Sequence, residues 1–382
     1  MTNSLRFDKD KIRILQVSDP QDLKYVRVAM TEMLDKAYDA FEPDLVVFTG
    51  DNILGNHLLD KRFGSKHFAE GIEATEKSMK QALEHILEPV QRRKIPFAMI
   101  YGNHDDMNLL TKDEQMEIYR SYSYCLEGNT NYPEVDCDTY AVKIYSGEKL
   151  VYVLYMLDSA WQDNDGERKC HTEIKPETVK WFVETNKAIK KENGNKAVPA
   201  LMFIHIPLPA QKELTEPCSP NDSKAVIDFN GKACKLNPCI AKGVMAEPIS
   251  DVDTDNGLFD AVLSEGNVKA IITGHDHRNC FEGTYKGVKF LQTGCASFRC
   301  YGTKEARGVR VIDINSDGSF DTQFYNYFDI CGNSLKSKIK FFLDSDENEK
   351  KKLALICSLA GTSAVSVAAA TVKIIKFIKA ER

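Results

Sequence analysis

The sequence predicts an α/β (α+β) fold in which two mixed sheets pack face to face and helices cover their outer surfaces. Two observations carry this. Between residues 12 and 101, short apolar runs rich in β-branched and aromatic residues alternate with longer amphipathic stretches, the pattern of successive βαβ units. From residue 140 the texture turns to apolar–polar alternation broken by hairpin signals, the mark of antiparallel pairs. Parallel and antiparallel strands in one chain, with amphipathic helices between them, need mixed sheets with helical outer layers.

The elements follow in order. Residues 12–17 read as a buried strand, 23–41 as a helix with apolar residues at three- and four-residue steps, and 45–49 as the next strand. A helix over 68–92 and a strand over 97–101, just after Pro96, make a second unit. Residues 140–145 and 150–157 flank Ser146-Gly147 as a hairpin. Residues 176–191 form a helix with Pro176 in its first turn and Gly194 just past its end, the usual placement of these two residues. Strands recur at 200–204, 268–273, 288–292, 308–314 and 319–325. The proline-punctuated stretch 207–255 shows little periodicity and reads as a long irregular connection, either a floppy insertion or a loop that shapes the substrate. One domain over residues 1–330 holds these elements, followed by a charged linker over 331–352 and a hydrophobic and basic segment over 353–382.

Composition narrows the function. The 382 residues are 43% hydrophobic and 28% charged, an ordinary globular balance that excludes collagen, coiled-coil and largely disordered chains. Net charge is −6, and no Lys/Arg cluster resembles a phosphate-backbone footprint before the last thirty residues, so nucleic acid is excluded as a main partner. Eleven cysteines have no repeating spacing, and the first sixteen residues carry charges where a secretory signal needs an apolar run. Reduced thiols and a cytoplasmic location are expected. Cys218, Cys234 and Cys239 match no zinc spacing and read as loop cysteines.

Five polar clusters each follow a predicted strand: Ser18-Asp19-Pro20-Gln21, Gly50-Asp51-Asn52, Gly102-Asn103-His104-Asp105, the lone His205, and Gly274-His275-Asp276-His277. Strand ends of one sheet edge lie together, so clusters spread over some 260 residues converge. Asp19, Asp51, Asn103, His205, His275 and His277 are oxygen and imidazole donors without a cysteine among them. That set suits zinc, iron or manganese, and six donors exceed the need of one tetrahedral ion, so two metals are expected. Taken singly each cluster is an ordinary turn; their order, placement and matched chemistry speak together.

This series resembles the calcineurin-like metallophosphoesterases, over roughly residues 12–324. The strings from Pro43 to Asn52, Gly102 to Asp106, Leu157-Asp158-Ser159 and Phe203 to Pro209 are similar to a purple-acid-phosphatase-like branch of intracellular phosphatases. The resemblance implies a four-layer αββα sandwich with a dinuclear site at the sheet edge. It implies that Asp51 bridges the metals, that Asp19 and His277 complete one site, and that Asn103, His205 and His275 complete the other. His104 matches the position that touches the phosphoryl group and assists the leaving group, and Asp105 its orienting partner. Two departures stand out. Gln21 takes the place of a usual histidine, and an amide oxygen is a weaker ligand than imidazole, which favours a loosely held or harder ion such as Mn²⁺ or Mg²⁺. Leu54 stands where purple acid phosphatases carry a metal-binding tyrosine, so no iron–tyrosinate chromophore is expected.

The implied activity is binuclear metal-dependent phosphohydrolysis, with Mn, Zn, Fe or Mg as cofactors. A hydroxide shared by the metals attacks phosphorus in line, and His104 protonates the departing oxygen. A phosphomonoesterase acting on phosphoprotein or a small phosphate ester is the leading expectation. A phosphodiesterase on the same scaffold, or a metal-binding scaffold with reduced catalysis, are the alternatives. At the carboxyl terminus, residues 353–372 carry no charge and are bracketed by Lys350, Lys351, Lys352 and by Lys373, Lys376, Lys379 and Arg382. The length suffices to cross a bilayer, but six Ser, Thr or Gly residues weaken the signal. Both a membrane anchor, with the catalytic domain facing the cytosol, and a soluble packed helix stay open.

Overall fold

The computed structural model describes residues 4–55, 69–126, 128, 132–162 and 170–346. A five-stranded sheet runs in the order Phe320–Asn326, Gly308–Asn315, Lys11–Val17, Leu45–Thr49, Phe97–Ile100, its last three strands parallel. An eight-stranded sheet runs Ser4–Phe7, Tyr140–Ser146, Lys149–Leu157, Ala200–Ile204, Val268–Thr273, Val288–Gln292, Cys280–Tyr285, Ala241–Val244. Its centre is parallel, and antiparallel pairs flank it.

Side chains two apart along these strands divide the core into three layers. Ile12, Ile14, Leu45, Val47, Ala98 and Ile100 face Leu154, Met156, Leu201, Phe203, Ala270 and Ile272 between the sheets. The intervening Leu15, Val46, Phe48 and Met99 face outward against Met30, Met33 and Leu34 of helix Val28–Phe41 and Leu83 and Leu87 of helix Ile72–Arg92. On the far side, Tyr155, Met202 and Ile271 meet Phe182 of helix Pro176–Glu192 and Phe259 of helix Leu258–Glu265. Each such buried side chain contributes about 1.5–3 kcal/mol, and the four layers, helix, sheet, sheet, helix, are those the sequence predicts.

The departures have physical reasons. The first helix starts at Val28, not 23, because the Asp22 carboxylate accepts the Leu23 and Arg27 backbone N–H groups (2.8 and 2.7 Å) and curls that segment into a turn. The stretch 207–255 is ordered rather than irregular. It contains a 3₁₀ helix Pro209–Leu214, a small antiparallel sheet of Thr215–Pro217, Ala233–Leu236 and Val226–Ile227, and the edge strand Ala241–Val244. Within the expected linker, helix Leu335–Asp344 packs on helix Val28–Phe41, where the Asp344 carboxylate accepts the Ala29 N–H (2.6 Å) and Lys340 pairs with Glu32. Residues 332–346 therefore belong to the folded body. The segment expected over 353–382 lies outside the described residues, among which no helix is long and apolar enough to cross a membrane.

Candidate metal centre

Asp19, Asp51 and the Asn103-His104 pair follow three adjacent parallel strands of one sheet, and His205 and His275 follow two adjacent parallel strands of the other. Both sets thus lie beyond carboxyl ends, and the structure brings all five clusters together. Asp51, His205 and His275 place one donor atom each within 4.8 Å of one another, as do Asp19, Asp51 and His277. The two triads share Asp51. Cys218, Cys234 and Cys239 are free thiols and join no three-donor group among the described residues.

The backbone is bent to make this possible. Asp19 (φ 48°), Gln21 (36°), Asp51 (48°) and His275 (70°) are four of the nine described non-glycine residues with positive φ; such conformations cost on the order of 1–3 kcal/mol each and persist where the surroundings over-determine them. Gly50 (φ 87°) lies so close to the His205 ring that a Cβ there would sit 2.5 Å from Nδ1. A Cβ on Gly274 would strike the Ser18 hydroxyl and the Asp19 carboxylate. These contacts explain why glycine precedes the functional residue in both motifs.

Hydrogen bonds then orient the donors. His205 Nδ1 donates to the Thr49 carbonyl (2.9 Å) and His277 Nδ1 to the Tyr301 carbonyl (2.9 Å), which turns each Nε2 toward the carboxylates. His205 Nε2 lies 3.5 Å from Asp51 Oδ1, and His277 Nε2 lies 3.3 Å from Asp19 Oδ1. The Asp19 Oδ2 accepts the His275 N–H (3.0 Å), and Asp51 Oδ1 accepts the His104 N–H (2.8 Å). Gln21 Nε2 donates to Asp51 Oδ2 (2.8 Å), which leaves its amide oxygen without a partner.

Charges balance across the cluster. Burial raises the carboxyls, but His205 and His277 outweigh it at Asp19, and His205 and His104 at Asp51, so both stay below the usual carboxylate range. Burial opposes a charged His205, yet Asp51 and Asp19 push it up to about 9. Burial and the adjacent His205 push His275 down to about 3.

Asp105 does something other than orient His104. Its carboxylate is buried and accepts three backbone N–H groups, from Gly102 (2.8 Å), Asn52 (3.1 Å) and Ile53 (3.0 Å), while His104 Nδ1 has no hydrogen-bond partner. Burial and the Asp51 charge together push the Asp105 carboxyl up to about 8 against those donors. Asp105 thereby fixes the turns that carry Asp51 and Asn103. Asp158 binds the Lys112 ammonium (2.6 Å), and neighbouring Ser159 accepts the Ile206 N–H (3.0 Å), bracing the residue after His205.

Sequence reasoning missed the polar layer beneath. Gln16 Nε2 donates to Thr49 Oγ1 (2.9 Å), its Oε1 accepts Thr293 Oγ1 (2.7 Å), and Gln292 Nε2 donates to the Gly274 carbonyl (2.6 Å). The Arg310 guanidinium donates to the Gln292 carbonyl (2.9 Å). A glutamine or arginine inside an otherwise apolar strand is the signal that marks them.

Asp19 Oδ1, Gln21 Oε1, Asn103 Oδ1 and His205 Nε2 are buried without hydrogen-bond partners. Buried polar atoms left without a partner are costly unless something binds them, and carboxylate, imidazole and amide-oxygen donors suit divalent ions. The residues present fit a pair of metals.

Comparison with known proteins gives the family. A model of the calcineurin-like phosphoesterase family matches residues 12–279. An Arabidopsis thaliana protein named probable inactive purple acid phosphatase 29 is 29% identical over 306 residues, spanning 75% of this chain and 68% of its own. Phosphatase DCR2 of Saccharomyces cerevisiae is 26% identical over 255 residues, 64% of this chain and 38% of its own. The crystal structure of a dimetal phosphatase from Danio rerio covers 84% of this chain and 100% of its own, at 14% identity and a TM-score of 0.45.

Proposed function

The chain belongs to the calcineurin-like phosphoesterases, which hydrolyse phosphate esters, and from that premise we propose that it is a binuclear metal-dependent phosphomonoesterase acting on phosphoprotein or a small phosphate ester. The observation that carries the two-metal part is the sharing of Asp51 between two donor triads. The yeast relative named as a phosphatase supports the monoester part, while the Arabidopsis relative named as probable inactive supports a scaffold with reduced catalysis.

Asp19 and His277 would hold one ion and Asn103, His205 and His275 the other, with Asp51 between them and the Gln21 amide oxygen as a further donor to the first. Bound there, the ions would acidify a water and polarise the phosphoryl oxygens. The chain's own residues do the rest. The carbonyls of Thr49 and Tyr301 fix the imidazole tautomers, which keeps Nε2 free for an ion. His104 would protonate the leaving oxygen, a role supported by its half-buried place, its main chain pinned to Asp51 and its unpartnered Nδ1. None of the ten described cysteines is joined in a disulfide, which supports a reducing, cytoplasmic setting.

The test is hydrolysis of an aryl phosphate and its diester analogue by the full chain, after chelation and separate addition of Mn²⁺, Zn²⁺, Fe²⁺ and Mg²⁺. Metal-restored turnover of the monoester is the expected result. Preference for the diester would replace the monoesterase reading. A folded protein that binds two ions and turns over neither substrate would make it a scaffold, a reading favoured by the Gln21 contact, since an amide stands where an imidazole is usual.

A further inference from the structure

We propose that Arg307, neutralised by Asp346, is a positioning residue that clamps one of the two ion sites through the loop 295–301. The proposal rests on the two-ion reading above. Arg307 is completely buried, where a guanidinium is costly unless paired; its two terminal nitrogens are matched, and Nε is left without a partner. Its Nη1 donates to the Ser297 carbonyl, and its Nη2 donates to the Cys300 carbonyl (2.9 Å) and to Asp346 Oδ2 (2.7 Å). The Phe298 ring lies 5.1 Å from the guanidinium carbon. One side chain therefore ties both ends of a short loop to a carboxylate that follows helix Leu335–Asp344.

That loop grips the Asp19 side of the centre. Ser297 N–H donates to the Asp19 carbonyl (3.0 Å) and Ala296 N–H to the Ser18 carbonyl (2.8 Å). The Ser297 hydroxyl donates to the Gln21 carbonyl (3.3 Å). At the other end, the Tyr301 carbonyl accepts from His277 Nδ1, and the Tyr301 ring stacks on the His277 ring at 4.4 Å. Every one of these contacts reaches Asp19, its neighbours or His277. The second triad has its own supports, His205 on Thr49 and the Gly274-His275 turn on Gln292, and touches the clamped side through one main-chain bond, the His275 N–H on Asp19. The clamp is accordingly selective: loosening it disturbs the site of Asp19 and His277 and leaves that of His205 and His275 in place.

Groups that orient metal ligands typically cost 10–100-fold in metal affinity when removed. Metal-free full-length protein is titrated with Zn²⁺ by calorimetry and by chelator competition, comparing wild type with Asp346→Asn, Asp346→Glu and Lys340→Ala. Two binding steps are expected in wild type. In Asp346→Asn one step weakens about 10–100-fold while the other holds, and Asp346→Glu recovers the weakened step. Lys340→Ala cuts the Glu32 contact of the same helix and changes neither step. Arg307→Lys, which keeps the buried charge but cannot reach all three acceptors, serves as a second variant and weakens the same step should Asp346→Asn fail to fold. Unchanged steps, or equal weakening of both, in a folded variant overturn the clamp while the two-ion reading stands. A wild-type protein that takes up no Zn²⁺ removes that reading instead.

Discussion

Replacing Asp105 with alanine tests whether this carboxylate builds the centre or merely serves His104. The side chain receives three buried backbone N–H groups, from Gly102, Asn52 and Ile53, at 2.8–3.1 Å. Each donor left unsatisfied costs about 1–3 kcal/mol, so three give roughly 3–9 kcal/mol, and water entering the vacated space brings this toward about 3–5. That is a large share of the roughly 5–15 kcal/mol by which a domain is stable. Asp105→Asn keeps one acceptor oxygen but turns an NH₂ toward the remaining donor, a loss of about 1–3 kcal/mol. Urea denaturation of the metal-free chain at pH 9, where a carboxyl raised to about 8 is ionised, measures both, provided the slope with denaturant stays constant. Zinc affinity should fall in the same order, since the turns hold Asp51 and Asn103, while the pH limbs of any residual turnover stay put. An alanine variant destabilised by less than about 1 kcal/mol, with a displaced pH limb instead, would refute this account and return Asp105 to His104.

Three further outcomes are expected. His104→Ala should lower kcat by about 100-fold or more, the usual scale of a general acid, while retaining both zincs, whereas Asp51→Ala should lose metal and turnover together; equal zinc content in the two, read by atomic absorption, would contradict the assigned roles. Gly274→Ala should cost about 1–3 kcal/mol of stability by overpacking and weaken the zinc step at Asp19, because its Cβ meets Ser18 and Asp19, which melting and zinc titration check. Zinc binding at pH 7.5 should release protons from His205, whose value near 9 leaves it protonated there, and from His277, where burial is outweighed by Cys295 and Asp19, which raise it well above the usual imidazole range; affinity then climbs with pH. Calorimetry in buffers of differing ionisation heat counts the protons.

The donors were legible because these parallel strands are largely buried and end abruptly: a polar residue just after Val17, Thr49, Ile204 or Thr273 has nowhere to go but the sheet edge. The strand, glycine and ligand order also carries its own steric reason, since Gly50 and Gly274 are crossed by neighbouring functional side chains. Other parts left no such trace. The sheet of Thr215–Pro217, Val226–Ile227 and Ala233–Leu236 has strands of two to four residues, too short for alternation to rise above turn-rich background, so its order comes from pairing between segments. Helix Leu335–Asp344 hid in a charged stretch because its docking uses single contacts, Phe341 in the core and Asp344 on Ala29, rather than a broad apolar stripe. Asp105 shows a subtler limit: its place in the motif was plain, but whether a carboxylate faces an imidazole or three amides depends on how the turn after Asp51 folds back on Gly102. The loop 295–301 holds Asp19 and His277 mainly with main-chain groups, which any residue type supplies. Spacing reveals ligands because chemistry restricts their identity, and it passes over the backbone that aims them because nearly any sequence can provide a carbonyl.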